Sequence, residues 1–297
     1  MVKNGPGSVR EAGVGPRDDN DRNHQPLRPT TWASRYPLVL YVVFAYAISW
    51  AWWIPLALTG VTTRPGQGWP THLPGLLGAA IAAIAVTAII DGSAGLRDLG
   101  SRTWHWRVPI RWYLLVAGTL GMLALAPLAR WLTGQPAPSG GEYATYSGVG
   151  TLPLMLTALV VLVVNGFGEE IGWRGFLVDR LLERQGVIRT ALIVAPIWAL
   201  WHAPMFWFVA NLAGLGVGGS MGWFLGLTAG SILLTWLYAS SGRSVVIVSL
   251  WHTAFNFTTA TTAATGVPAA AASTLVMLAA IGIAIRPHVG RDWTSSA

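Results

Sequence analysis

The chain has 297 residues, of which 53% are hydrophobic and 10% charged, where a soluble domain carries about 25% charged residues. It has no cysteine, which excludes disulfides, thiolate metal sites and cysteine catalysis. The net charge is +7 and the pI about 10.4, yet nucleic acid is not the expected partner. The basic residues lie between long apolar runs, where they act as topology signals in a lipid bilayer.

Residues 1–35 hold Gly, Pro, Asp, Arg and Asn without an apolar run, the composition of a disordered cytoplasmic tail. No signal-peptide core precedes the first span, so that span is expected to direct its own insertion. A spanning helix needs about 20 mostly apolar residues. Eight stretches qualify: Tyr36–Thr59, His72–Ile90, Trp112–Leu132, Leu152–Glu170, Thr190–Val209, Met221–Ser240, Ser244–Thr262 and Pro268–Ile285. The expected fold is all-α: a polytopic helical membrane domain over 36–286, followed by a short cytoplasmic tail at 287–297. Between spans four and five, Trp173–Gly186 places Phe176, Leu177, Leu181 and Leu182 at helical spacing and predicts an amphipathic interfacial helix.

Counted between these spans, 17 of the 19 basic residues fall on the side of the two termini, and only Arg64 and Arg130 on the other. The positive-inside rule then places both termini in the cytoplasm of a cell whose plasma membrane the chain crosses. A wrong number of spans would scramble that alternation.

Against this apolar background a few polar residues stand out. Glu169 and Glu170 close the run Thr151–Glu170, and an acid at membrane depth is a functional-site candidate by default. His202 and His252 lie in later spans, His72 at a span mouth, and Asn165 and Asn256 add two amides. Residues four apart share a helix face: Asn165 with Glu169, Trp198 with His202, His252 with Asn256. Three helices can bring these faces to one cavity. Glu and His together polarise a water, as a base pair or through a metal. Glu169 is expected near the cytoplasmic end of its span and His202 deeper, about 18 Å beyond Thr190 at 1.5 Å per residue. That gap closes if the interfacial helix and the start of span five lie outside the membrane, with the cavity open to the cytoplasm. Taken singly, each residue also has an ordinary explanation, as packing histidine, interhelical amide or snorkelling acid.

The ordered set Glu169-Glu170-x-x-x-Arg174, Trp198-x-x-x-His202 and His252-x-x-x-Asn256 resembles the CPBP family of CAAX-processing and bacteriocin-processing intramembrane proteases, which includes the type 2 CAAX prenyl proteases, the Abi proteins and lysostaphin-resistance-protein-A-like members. The likeness covers roughly 152–262. Trp198 stands where the family more often has Phe. The resemblance implies a membrane endopeptidase in which Glu169 is the general base acting with His202, while His252 and Asn256 stabilise an oxyanion. Glu170 and Arg174 would pair and orient the motif, with Trp198 in support. It also implies either a metal-free mechanism or a divalent ion such as zinc on Glu169, His202 and His252. The substrate would be a membrane-associated peptide or protein. Two other classes fit the residues: a non-catalytic scaffold or bacteriocin self-immunity protein that keeps the motifs, and a proton-coupled transporter. The transporter predicts further polar residues toward the outer side, where only His72 and Asn211 are at hand.

Overall fold

The computed structural model describes residues 1–2 and 32–286, so the tails expected at 1–35 and 287–297 lie almost wholly outside the described residues. In chain order the helices are α1 (Pro37–Leu58), α2 (Leu73–Ile90), α3 (Gly92–Thr103), α4 (Ile110–Leu132), α5 (Leu154–Leu182), α6 (Val187–Trp201), α7 (Gly216–Ser240), α8 (Val245–Ala260) and α9 (Val267–Ala284). Among the described residues six of these are long and apolar enough to cross a bilayer, and α6 and α8 are shorter apolar helices. The chain is a polytopic all-α membrane protein. Large apolar side chains such as Val39, Val43, Ile84 and Leu114 face outward, as they do where lipid rather than water is the solvent.

Two expected boundaries move. Span four does not stop at Glu170: α5 runs on to Leu182, so most of the predicted interfacial helix is the second half of α5. Trp173, Arg174 and Phe176 are 0% exposed. The polar residues of this stretch find partners inside the protein, and two π-helical segments, Leu162–Phe167 and Trp173–Val178, carry the helix through. Such wide turns often mark functional sites in helices. Span five is shorter than expected. Residues that precede proline avoid the α region, and α6 gives way before Pro204 to a 3₁₀ turn over Ala203–Trp207.

The connections form two separate sets. On one side Arg180 of α5 pairs with Asp91 at 2.5 Å, Ser244 donates to the His105 carbonyl at 2.6 Å, and Arg243 and Arg102 meet Asp179 at 2.5 and 2.7 Å. On the other side Thr63 bridges to Val209, Pro65 to Ser147, Gly66 to Gly150 and Tyr146 to Thr261. The first set includes the ends from which α1 starts and at which α9 finishes. It holds the arginine-rich connections, so the two sides separated by charge are also separate in their contacts.

α2 packs closely against α1 and against the middle of α5. A Cβ at Gly172 would lie 2.5 Å from both the Ala79 carbonyl oxygen and the Tyr41 hydroxyl. Backbones approach this closely in membranes only where small residues line the seam.

Candidate active site

Glu169 and Glu170 lie in the regular turn Gly168–Gly172, between the two π-helical segments. Glu169 is about 22 Å from the start of α5 and about 20 Å from its end, by rise per residue. It therefore sits midway along the helix rather than at its end. That places it at the depth of His202, which caps α6, and the depth gap expected between them closes.

The two carboxylates diverge. Glu169 is 2% exposed, lines a cavity of about 660 Å³, and accepts one hydrogen bond, from Trp198 Nε1 at 2.9 Å. Glu170 is fully buried away from that cavity. Its Oε1 accepts from Arg174 Nη1 at 2.9 Å and from His252 Nδ1 at 2.7 Å. The Arg174 guanidinium also stacks over the Trp198 ring, 4.4 Å from its centroid. The expected pairing of Glu170 with Arg174 is thus present. The bond from His252 to Glu170 is an addition that i, i+4 spacing could not reveal, because the two residues are 82 positions apart.

These bonds fix the rings. His202 Nδ1 lies 2.8 Å from the Trp198 carbonyl, which only accepts, so Nδ1 carries the proton and Nε2 the lone pair in the neutral ring. Trp201 and Trp223 press against the His202 ring at 4.8 and 5.6 Å. His252 likewise donates through Nδ1 and keeps Nε2 for the cavity. Asn256 reaches the same cavity one helical turn on, as does Asn165 on α5, whose Oδ1 is buried without a partner among the described residues. Glu169, His202, His252, Asn256 and Trp198 therefore meet at one cavity, while Glu170 and Arg174 stand behind it.

The donor types suit a zinc ion, since each histidine has an outer partner of the kind that orients metal ligands. The positions do not: among the described residues no three His, Asp or Glu side chains stand close enough together to hold a metal.

The cavity wall contains residues that motif spacing did not single out. Tyr146 and Ser147 enter from the connection between α4 and α5, His72 from the start of α2, and Gly219, Gly222 and Gly226 from one face of α7. The glycine spacing was visible in the sequence; that the 146–147 segment folds inward was not. No connection from the arginine-rich side contributes to the lining.

The model of the family described as type II CAAX prenyl endopeptidase Rce1-like matches residues 151–258. That stretch opens just before α5 and closes within α8, and it contains every motif residue described above. Residues 151–258 are thus similar to the Rce1-like CAAX endopeptidases. Beyond it the likeness is lower and longer: the CAAX prenyl protease 2 of Methanococcus maripaludis is 22% identical over 237 residues, covering 75% of this chain and 83% of that protein. The matched region thus supplies both carboxylates and both histidines, while the start of α2, the α4–α5 connection and α9 complete the walls around them.

Proposed function

We propose that the chain is an intramembrane endopeptidase that hydrolyses a peptide bond of a membrane-associated peptide or protein with a water activated by Glu169. One observation supports this above the others: a carboxylate midway along α5, facing a cavity, whose one hydrogen bond among the described residues comes from a neutral N–H donor. Its second oxygen is left to serve a bound water. In this reading Glu169 takes a proton as the water oxygen attacks the carbonyl carbon, and His202 Nε2 accepts the water's second hydrogen bond. The Asn256 amide and the Nε2–H of a doubly protonated His252 donate to the oxyanion. The intermediate then collapses, the C–N bond breaks, and the proton held by Glu169 passes to the departing nitrogen. Glu170 and Arg174 keep His252 and Trp198 in place. In this proposal the arginine-rich side, with both termini, faces the cytoplasm.

The test is cleavage of a reporter peptide library by purified protein in lipid nanodiscs. Glu169→Gln keeps an acceptor for Trp198 but loses the base, and activity is expected to fall by about 10²–10⁴, the worth of a general base. Unchanged cleavage in that variant would remove Glu169 from the mechanism, and a preparation that cleaves nothing returns the chain to the scaffold class. Metal analysis of the same sample bears on zinc: one tightly bound ion per chain would place it on Glu169, His202 and His252 after a rearrangement of those side chains.

A further inference from the structure

Three features bear on how the cavity is reached. The first is the origin of its walls. Every connection that lines it belongs to the set opposite the termini: His72 before α2, Tyr146 and Ser147 before α5, and Val209 to Leu215 between α6 and α7. The exposed lining residues lie in the same half. Asn211 is in a connection, and Gly222 of α7 and Thr274 of α9 sit about 10 Å inside the ends of their helices. The mouth therefore lies among Asn211, Gly222, Ala270 and Thr274, where the lining is exposed.

The second is the closure of the other side. Behind Glu169 come the Glu170–Arg174 pair, then Trp173, Phe176 and Val178, each 0% exposed. Beyond them Asp179 accepts from Arg243 at 2.6 and 2.5 Å, from Tyr238 at 2.8 Å, and pairs with Arg102 at 2.7 Å. None of these residues touches the cavity. A polypeptide arriving from the arginine-rich side meets a charged, packed plug.

The third is unpaired polarity in the cavity wall. His72 is 4% exposed and lines the cavity, yet its Nδ1 has no partner among the described residues; the same holds for the Ser147 hydroxyl. Gly148, at φ +72°, lets the loop lie directly over them, since a Cβ there would come within 2.8 Å of His72 Nδ1. Buried polar atoms left unpaired are costly, so a site that keeps two of them in its wall is built to receive polar groups.

We infer that the catalytic cavity is entered from the side opposite the termini, and that its substrates are extended polypeptide segments presented at the extracytoplasmic face of the membrane. The chain enters past Asn211 and the 209–215 connection, and His72 and Ser147 engage its backbone. The identity of what enters rests on the endopeptidase reading; the side of entry does not.

The absence of cysteine makes the side measurable. Single-cysteine variants Asn211→Cys at the mouth, Thr259→Cys in the cavity wall and Glu183→Cys on the arginine-rich side are treated with a membrane-impermeant maleimide. Right-side-out and inside-out vesicles from the expression host are compared. Asn211→Cys and Thr259→Cys are expected to label in right-side-out vesicles and Glu183→Cys only in inside-out ones. Labelling of Thr259→Cys in inside-out vesicles alone overturns the inference, whether because the cavity opens on the Glu183 side or because the whole chain is inserted the other way. The Glu183 result tells those two apart. Labelling needs no turnover, so it is read even if no peptide is cleaved.

Discussion

Glu169 and Glu170 are neighbours in sequence with opposite tasks, and their surroundings set the difference. Glu170 has a guanidinium and an imidazole on one oxygen; Glu169 has one indole N–H. Removing one partner of a buried ion pair costs far more than the pair itself contributes, about 3–5 kcal/mol, because the remaining charge stays buried. Arg174→Met is therefore expected to lower the unfolding midpoint sharply in detergent, and Glu170→Gln/Arg174→Met to recover much of the loss. A single variant as stable as its parent would show that Arg174 is not what neutralises Glu170. A different acid responds to pH. Glu142, in the connection between α4 and α5, is held down to about 2 by the hydrogen bond from Arg130, with help from the Ser139 backbone N–H. Its value in an unfolded chain is about 4.3. The folded state thus favours the ionised form, and this contribution is complete above about pH 5 and lost as pH falls from about 4 toward 2. Glu142→Gln keeps the capping geometry with Ser139 but not the charge, so the midpoint difference between parent and variant should be present at pH 6 and shrink below pH 4. A difference independent of pH would locate the effect in the cap instead.

At the scale of elements, α5 carries the site and α2 sets where α5 lies. Gly172 faces the α2 backbone with no room for a methyl group. Gly172→Ala must push α5 from α2 or displace Tyr41, a change that costs about 1–3 kcal/mol in a packed interior. It is expected to reduce cleavage as well, since Glu169 and Glu170 ride on the same turn. Gly118→Ala is the control: a Cβ there meets nothing within 4 Å, and removing a helix glycine is worth up to about 1 kcal/mol of stability. Equal effects of the two substitutions would mean that the α2–α5 contact does not position the site. The motifs on α5, α6 and α8 were legible in the sequence because each joins residues four apart. The true length of α5 was not. Arg174, Asp179 and Arg180 look like the wet residues of a surface helix when their partners are unknown, and the partners of Asp179 lie in α3, in the last turn of α7 and just beyond it. A buried charge and a solvated one are the same letter until the other chain segment is placed.

At the scale of the whole molecule, the distribution of arginine predicts the two sides, and the contacts among connections agree with it. Charge alone could not tell which side the cavity faces, because its walls are built from small and apolar residues. Gly219, Gly222 and Gly226 carry no topological signal, and Ser147 and His72 are unremarkable until the connections fold inward. What separates the cavity from the arginine-rich side is the cluster on Asp179. Asp179→Asn leaves Arg102, 7% exposed, and Arg243 without their shared carboxylate. Two guanidiniums then repel across the ends of α3, α5 and α7, where one carboxylate had joined them. Breaking such a cluster is expected to cost about 3–5 kcal/mol, read as a lower unfolding midpoint. A second readout separates a plug from a mere stabiliser. In the Thr259→Cys background, Asp179→Asn should make the thiol reachable from the arginine-rich side as well as from the mouth, at temperatures where the protein is still folded. If the midpoint falls while labelling stays one-sided, the closure lies in Trp173, Phe176 and Val178, and the ionic cluster only fastens the helices around them.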